Sequence, residues 1–175
     1  SNSAPQAGAD LTVTLTEDIS SGSLNLSAPT DSDGDALTIS ITAIPTSGVL
    51  NKADGTVLAN EDALTVEELQ ALTFTPDANA NDSTTSFGSF SYSVSDGSAT
   101  DSRTVTIAVD AVNDAPAYIG ISEFGPNENS TTVTTFTATD VDADTLTYSV
   151  SGGADKDLFQ INSTTGVLTF INAPD

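Results

Sequence analysis

The chain carries an internal repeat. Asn2, Ala4 and Pro5 recur as Asn113, Ala115 and Pro116, and Glu17 recurs as Glu128, all at an offset of about 111 residues. With the offset two residues shorter, Asp31, Asp33, Asp35 and Leu37 fall on Asp140, Asp142, Asp144 and Leu146. Further on, Gly48-Val49-Leu50 matches Gly166-Val167-Leu168, and Pro76-Asp77 matches Pro174-Asp175. Such self-similarity means tandem domains. They are placed at residues 1–112 and 113–175.

Within each copy, short runs alternate an apolar residue with Thr or Ser, the signature of strands with one face buried. They cover residues 11–15, 24–26, 37–41, 87–94, 104–109, 132–137, 146–150 and 166–170. Asp-Gly, Pro and Asn clusters separate them at the spacing of a sandwich. The expected fold is all-β, two tandem β-sandwiches end to end with one short helix in the first. On this alternation Phe90, Tyr92, Phe136, Tyr148 and Phe170 are core residues. The first copy has extra residues between Leu50 and Pro76, starting with an Asp54-Gly55 hairpin turn. A short helix follows, with Thr65 and Glu68 forming its capping box and Val66, Leu69 and Leu72 on one face. Thirty-six positions separate Asp77 from Asn113, but nothing follows Asp175. The second domain is therefore expected to lack its last two strands, and its sheets to show unfilled edges or be completed by a neighbouring chain.

Twenty-five acidic residues against three basic ones, Lys52, Arg103 and Lys156, give a net charge of −22. That charge repels phosphate backbones and anionic membranes, so nucleic acid and lipid headgroups are excluded as partners. Cys, His, Met and Trp are absent, which removes disulfides, thiol chemistry and zinc, copper or haem sites. No apolar run is long enough to span a bilayer or serve as a signal peptide, so the chain reads as a piece of a longer protein.

The acidic residues are clustered. Asp31-Ser-Asp33-Gly-Asp35 and Asp140-Val-Asp142-Ala-Asp144 direct several carboxylates toward one point when their loops curl. Two carboxylates about 5 Å apart repel by ~0.8 kcal/mol in bulk water and ~3 kcal/mol at an effective dielectric near 20. Ca2+ removes that cost, because it accepts six to eight oxygens in irregular geometry. An EF-hand does not fit, since Gly34 is misplaced and Thr42 stands where the twelfth-position Glu belongs. A salt-adapted acidic surface would explain the charge, but not its repetition in two aligned loops.

These residues carry a family resemblance. The second copy resembles a cadherin repeat through Glu128 in Asn127-Glu128-Asn129-Ser130, Ala138-Thr139-Asp140-Val141-Asp142, Phe159-Gln-Ile161-Asn, Thr165-Gly166-Val167-Leu168 and Pro174-Asp175. The first resembles the Ig-like or cadherin-like repeats of giant bacterial adhesins. It does so through Glu17-Asp18, Asp33-Gly34-Asp35-Ala36-Leu37, Leu72-Thr-Phe74-Thr-Pro76-Asp77, Tyr92-Ser-Val94-Ser-Asp96-Gly97 and Val112-Asn113-Asp114-Ala115-Pro116. The resemblance implies that both β-sandwiches are Ig-like or cadherin-like Greek keys, and in that family calcium lies between successive domains. The resemblance implies a shared site made by Glu17, Asp77, Asp110, Asn113 and Asp114 with Asp140 and Asp142. It turns Asp33, Asp35 and Asp96 toward an upstream neighbour, and Glu128 and Asp175 toward a downstream one. The chain departs from the pattern at Asn79, two positions after Asp77, where the family usually carries Glu.

The function expected is that of an extracellular, calcium-stiffened spacer in a bacterial cell-surface adhesin, with neighbouring repeats of the same chain as its partners. The alternative is a binding module for polysaccharide or for identical repeats, in which Tyr118 and Phe124 are the candidate sugar-facing aromatics. Catalysis is not expected, because without His or Cys nothing pairs a nucleophile with a base.

Overall fold

The computed structural model describes residues 1–122, 125 and 127–174. Phe124 and Asp175, both candidate residues above, lie outside the described residues. The chain divides into two compact units, Ser1–Val112 and Asn113–Asp175.

The first unit is a two-layer sandwich. One sheet holds five strands in the order β1 (Leu11–Thr16), β8 (Thr100–Asp110), β7 (Ser89–Ser95), β3 (Thr38–Ala43) and β5 (Ala63–Leu64). The other holds β2 (Gly22–Ser23), β6 (Thr73–Thr75) and β4 (Val49–Asn51). Strand β1 runs parallel to β8, and the remaining pairings are antiparallel. The period-two pattern is realised on β7, where Phe90, Tyr92 and Val94 are buried and the intervening Ser residues are half-buried. They meet Ile39, Ile41, Phe74, Phe87, Val105 and Val109 in one core. Phe74 and Phe87 pack edge to face, 6.0 Å between ring centroids, the arrangement favoured by ring quadrupoles.

The insertion folds as its turn and cap residues dictate. Gly55 takes a positive φ of 88° and donates to the Lys52 carbonyl (3.0 Å), closing the Asp54-Gly55 turn. Helix α1 (Val66–Gln70) starts at Thr65, whose hydroxyl accepts from Glu68 N–H (3.2 Å) while the Glu68 carboxylate accepts from Thr65 N–H (2.9 Å). Leu69 of the helix and Leu72 just after it are fully buried. The run 24–26 is not a strand, although Leu24 and Leu26 are buried. Asn25 has φ of 49°, which takes the backbone out of the extended region.

The second unit has one four-stranded sheet, in the order β11 (Phe159–Ile161), β12 (Val167–Phe170), β10 (Thr132–Thr139) and β9 (Ala117–Ile121). A 3-10 turn, Lys156–Leu158, precedes β11. The Thr139–Ala117 pair repeats the Thr30–Gln6 bridge of the first unit at equivalent positions. Here the sequence expectation needs two corrections. Residues 146–150 form no strand. The equivalent strand β3 is paired on one side by β7 and on the other by β5, and among the described residues of the second unit neither partner has a counterpart. Without a ladder the run forms no sheet. For the same reason Phe136, Tyr148 and Phe170 are only half-buried rather than core residues.

Candidate functional site

Both acidic loops fold in the same way, because their first Asp acts as a local acceptor. In the first unit the Asp31 Oδ1 accepts from Asp33 N–H (2.8 Å) and Asp35 N–H (3.3 Å). In the second the Asp140 Oδ1 accepts from Asp142 N–H (3.0 Å) and Asp144 N–H (3.2 Å). This is the Asx-type capture of backbone by a short carboxylate. The middle Asp ties the loop to the segment that enters the domain, as Asp33 Oδ2 accepts from Ser3 N–H (2.6 Å) and Asp142 Oδ2 from Asp114 N–H (2.7 Å). The fourth loop residue is left-handed in both copies, Gly34 at φ 77° and Ala143 at φ 60°.

The loops differ in what they gather. Asp31, Asp33 and Asp35 place carboxylate oxygens within 4.8 Å of one another. Among the described residues they are the only such group, so Asp140, Asp142 and Asp144 share a backbone but not that convergence. Asp96 joins the first cluster through the N-terminal segment, for Asn2 Nδ2 donates to Asp96 Oδ2 (2.9 Å) beside the Ser3–Asp33 bond. The Ala99 and Ser98 N–H groups and Asn2 hold the Asp96 carboxyl below its ordinary value, Ala99 foremost.

A second acidic centre is built at the far end of β1 and β8. Glu17 follows β1 and is only 2% exposed. Its Oε1 accepts from Val112 N–H (2.8 Å) and Asn81 Nδ2 (3.1 Å), whereas its Oε2 is buried with no hydrogen-bond partner. Asp110 is brought alongside by the ladder, its carbonyl accepting from Glu17 N–H (3.0 Å), and its residue is exposed. Asn81, 6% exposed, was not among the residues singled out from sequence. Its own carbonyl and Oδ1 hold the 81–85 turn, accepting from Thr84, Thr85 and Ser83 N–H. Only the Asn-rich stretch 79–81 hinted at it.

The remaining candidates are dispersed. Asp77 is directed to the turn before β4, where Oδ2 accepts from the Ser47 hydroxyl and from Gly48 N–H (3.1 Å). Those two donors, Ser47 first, lower its pKa. Asn113 donates to the Asp114 carbonyl (2.9 Å), and Glu128 is exposed in a turn. Tyr118 is 64% exposed and lies against Phe136 at 6.3 Å between centroids.

None of the three cations neutralises these centres. Lys52 pairs with Glu68 (2.9 Å) and Lys156 with Asp157 (3.0 Å). Arg103, buried on β8, donates to the Ala9 carbonyl and to Ser27 Oγ (3.3 Å). A buried carboxylate oxygen without a donor costs roughly 1–3 kcal/mol or more. Glu17 therefore fits a cation that arrives from outside the chain, and a carboxylate oxygen is the ligand type that a hard divalent ion takes.

The profile of the bacterial Ig domain family matches residues 2–108. No curated protein matches the chain. Among solved structures, the EC1-2 fragment of human protocadherin-24, Form II, is 21% identical with a TM-score of 0.62, covering 98% of this chain and 81% of that one. Another structure of that fragment gives 19% identity and a TM-score of 0.54, covering 100% and 80%. Drosophila N-cadherin EC1-4 is 15% identical with a TM-score of 0.52, covering 95% of this chain and 40% of that one. The likeness is one of fold, a cadherin-like β-sandwich repeat. No described helix is long and apolar enough to cross a membrane.

Proposed function

The chain belongs to the bacterial Ig domain family, and from that premise we propose that it is an extracellular calcium-binding module pair, a calcium-rigidified spacer of a bacterial cell-surface adhesin. The observation that carries this reading is Glu17, a buried carboxylate with one oxygen doubly held and the other without a partner.

In this reading Asn81 and Val112 N–H fix the Glu17 rotamer, so that Oε2 is presented rather than free to turn toward solvent. Asp110 and, across the linker, Asn113, Asp114, Asp140 and Asp142 complete the donor set. Asp77 contributes from the neighbouring loop. Asp31, Asp33, Asp35 and Asp96 serve an equivalent site toward a preceding repeat, where the Asp31 carboxylate already fixes the loop backbone. Asp144 and Glu128 belong to the second repeat's own acidic loop and downstream end. Bound calcium supplies the positive charge and flexible oxygen coordination that these carboxylates lack. Because one ion takes ligands from two modules, occupancy reduces the freedom of the linker, and that is the source of stiffness.

Small-angle scattering of the intact chain tests this. Raising calcium from chelated to millimolar should lengthen the maximum dimension and sharpen the profile toward a rod, with Asp140→Ala blunting the change. No calcium-dependent change, or an equal response to magnesium, would overturn the reading in favour of an acidic surface without a selective site.

A further inference from the structure

Three aspartates of the first unit stand immediately before glycine: Asp33, Asp54 and Asp96. Such a pair is open to a reaction within the backbone, because glycine has no Cβ to hinder its own amide nitrogen when that nitrogen turns on the preceding side chain. In a folded chain the outcome depends on whether the glycine N–H is held. Gly55 N–H donates to the Lys52 carbonyl (3.0 Å), and Gly97 N–H donates to Ser95 Oγ (3.1 Å). A nitrogen so engaged cannot turn toward the carboxyl without giving up its acceptor.

Gly34 differs. Asp31 Oδ1 takes the N–H groups of Asp33 (2.8 Å) and Asp35 (3.3 Å), and the amide between them, Gly34 N–H, makes no hydrogen bond among the described residues. Asp33 and Gly34 are both exposed, and nothing lies within 4 Å of a Cβ placed on Gly34. The Asp33 carboxyl is also loosely held. It accepts from Ser3 N–H (2.6 Å), whereas the Asp96 carboxyl accepts from Ser98 N–H, Ala99 N–H and Asn2 Nδ2. The second unit supplies an internal control. At the aligned pair Asp142-Ala143 the amide is tied to the Asp140 carbonyl (3.3 Å), and alanine replaces glycine.

We propose that Asp33-Gly34 is a self-modification site at which Asp33 isomerises to isoaspartate. The Gly34 nitrogen attacks Asp33 Cγ while the carboxyl is neutral. The N–Cγ bond forms, the Cγ–OH bond breaks, and the hydroxyl leaves as water with the amide proton, closing a succinimide. Water then opens the ring. Attack at Cγ restores aspartate, and attack at the main-chain carbonyl carbon routes the backbone through the side chain and leaves the carboxylate on Cα. The chain from Asp33 to Gly34 is then one carbon longer. The spacing by which Asp31 holds the N–H groups of both Asp33 and Asp35 is lost with it.

Peptide mapping by mass spectrometry tests this on the intact chain, aged in chelator at neutral pH in water enriched in oxygen-18. Chelator keeps the outcome separate from the calcium reading. Isoaspartate should accumulate at Asp33 about tenfold faster than at Asp54, Asp96 or Asp142, since freeing a held amide first costs about one hydrogen bond. Heavy oxygen should enter the same peptide. Gly34→Ala, which gives this slot the residue that Ala143 provides in the second unit, should slow the reaction by about tenfold. In concentrated urea, where Gly55 and Gly97 lose their acceptors, the three Asp-Gly pairs should react alike. Equal rates at the three pairs in the folded chain, a faster rate at Asp54 or Asp96, or no isoaspartate at Asp33 would each overturn the proposal. So would an unchanged rate in Gly34→Ala, or the folded ranking persisting in urea.

Discussion

Ile39 and Ile41 lie under β7 in the first unit and are shielded from water, while their equivalents Tyr148 and Val150 in the second unit line an open groove. The residues are similarly apolar, and both runs alternate with Thr and Ser. Among the described residues, what separates them is a partner strand on β3 and none on 146–150. A strand is thus not a property of its own pattern alone: the pattern selects which face will be buried, and the ladder decides whether a strand exists.

Core truncation should expose the contrast most strongly. Phe74→Ala, at a fully buried ring facing Phe87, is expected to cost ~3–5 kcal/mol in urea unfolding. Phe159→Ala removes a half-buried ring whose main neighbour is Phe170 at 4.9 Å, and its expected cost is below about 1.5 kcal/mol. Equal costs would mean that the second unit buries Phe159 as fully as the first buries Phe74.

The two acidic loops allow a sharper comparison, since their backbones agree and one residue does not. Gly34 and Ala143 occupy the same left-handed slot, and nothing lies within 4 Å of a Cβ placed on Gly34. Only the backbone preference differs, about 1 kcal/mol against an L side chain. Gly34→Ala should therefore destabilise the first unit by about that amount, and Ala143→Gly should stabilise the second by a similar or smaller one. Melting midpoints moving in the same direction would break the equivalence of the loops.

A smaller effect is expected in acid. The carboxyls of Asp77 and Asp96 sit below their ordinary value of 3.8 in the folded first unit. A depressed folded pKa gives stability that is present above the unfolded value and is lost as pH falls through the folded one. Asp77→Asn should accordingly flatten the first unit's loss of stability below about pH 4 and change its slope little near neutrality. An unchanged acid limb would remove Asp77 from the account.

Much of this was legible in the residues. The duplication, the Asp54-Gly55 turn, the Thr65–Glu68 capping box and the Asp-x-Asp-x-Asp loops are each written in short local patterns, and such patterns report nearby contacts well. The strand at 146–150 was misread because its existence depends on partners distant in sequence. Asn81 was invisible for a similar reason, as it meets Glu17 across 64 positions of chain. The placement of Asp77 on the Ser47–Gly48 turn also needed the fold.

The central claim is that the Glu17 carboxylate is held ready for a cation. Thermal unfolding of the wild-type chain and of Glu17→Gln, each in chelator and in calcium at about 100 times its dissociation constant, tests it most directly. Calcium should stabilise the wild type by roughly 2.7 kcal/mol. Gln keeps an oxygen for Asn81 and Val112 but removes the buried charge, so the variant should melt at or above the wild type in chelator and below it in calcium. Parallel melting of the two proteins in both conditions would contradict the claim.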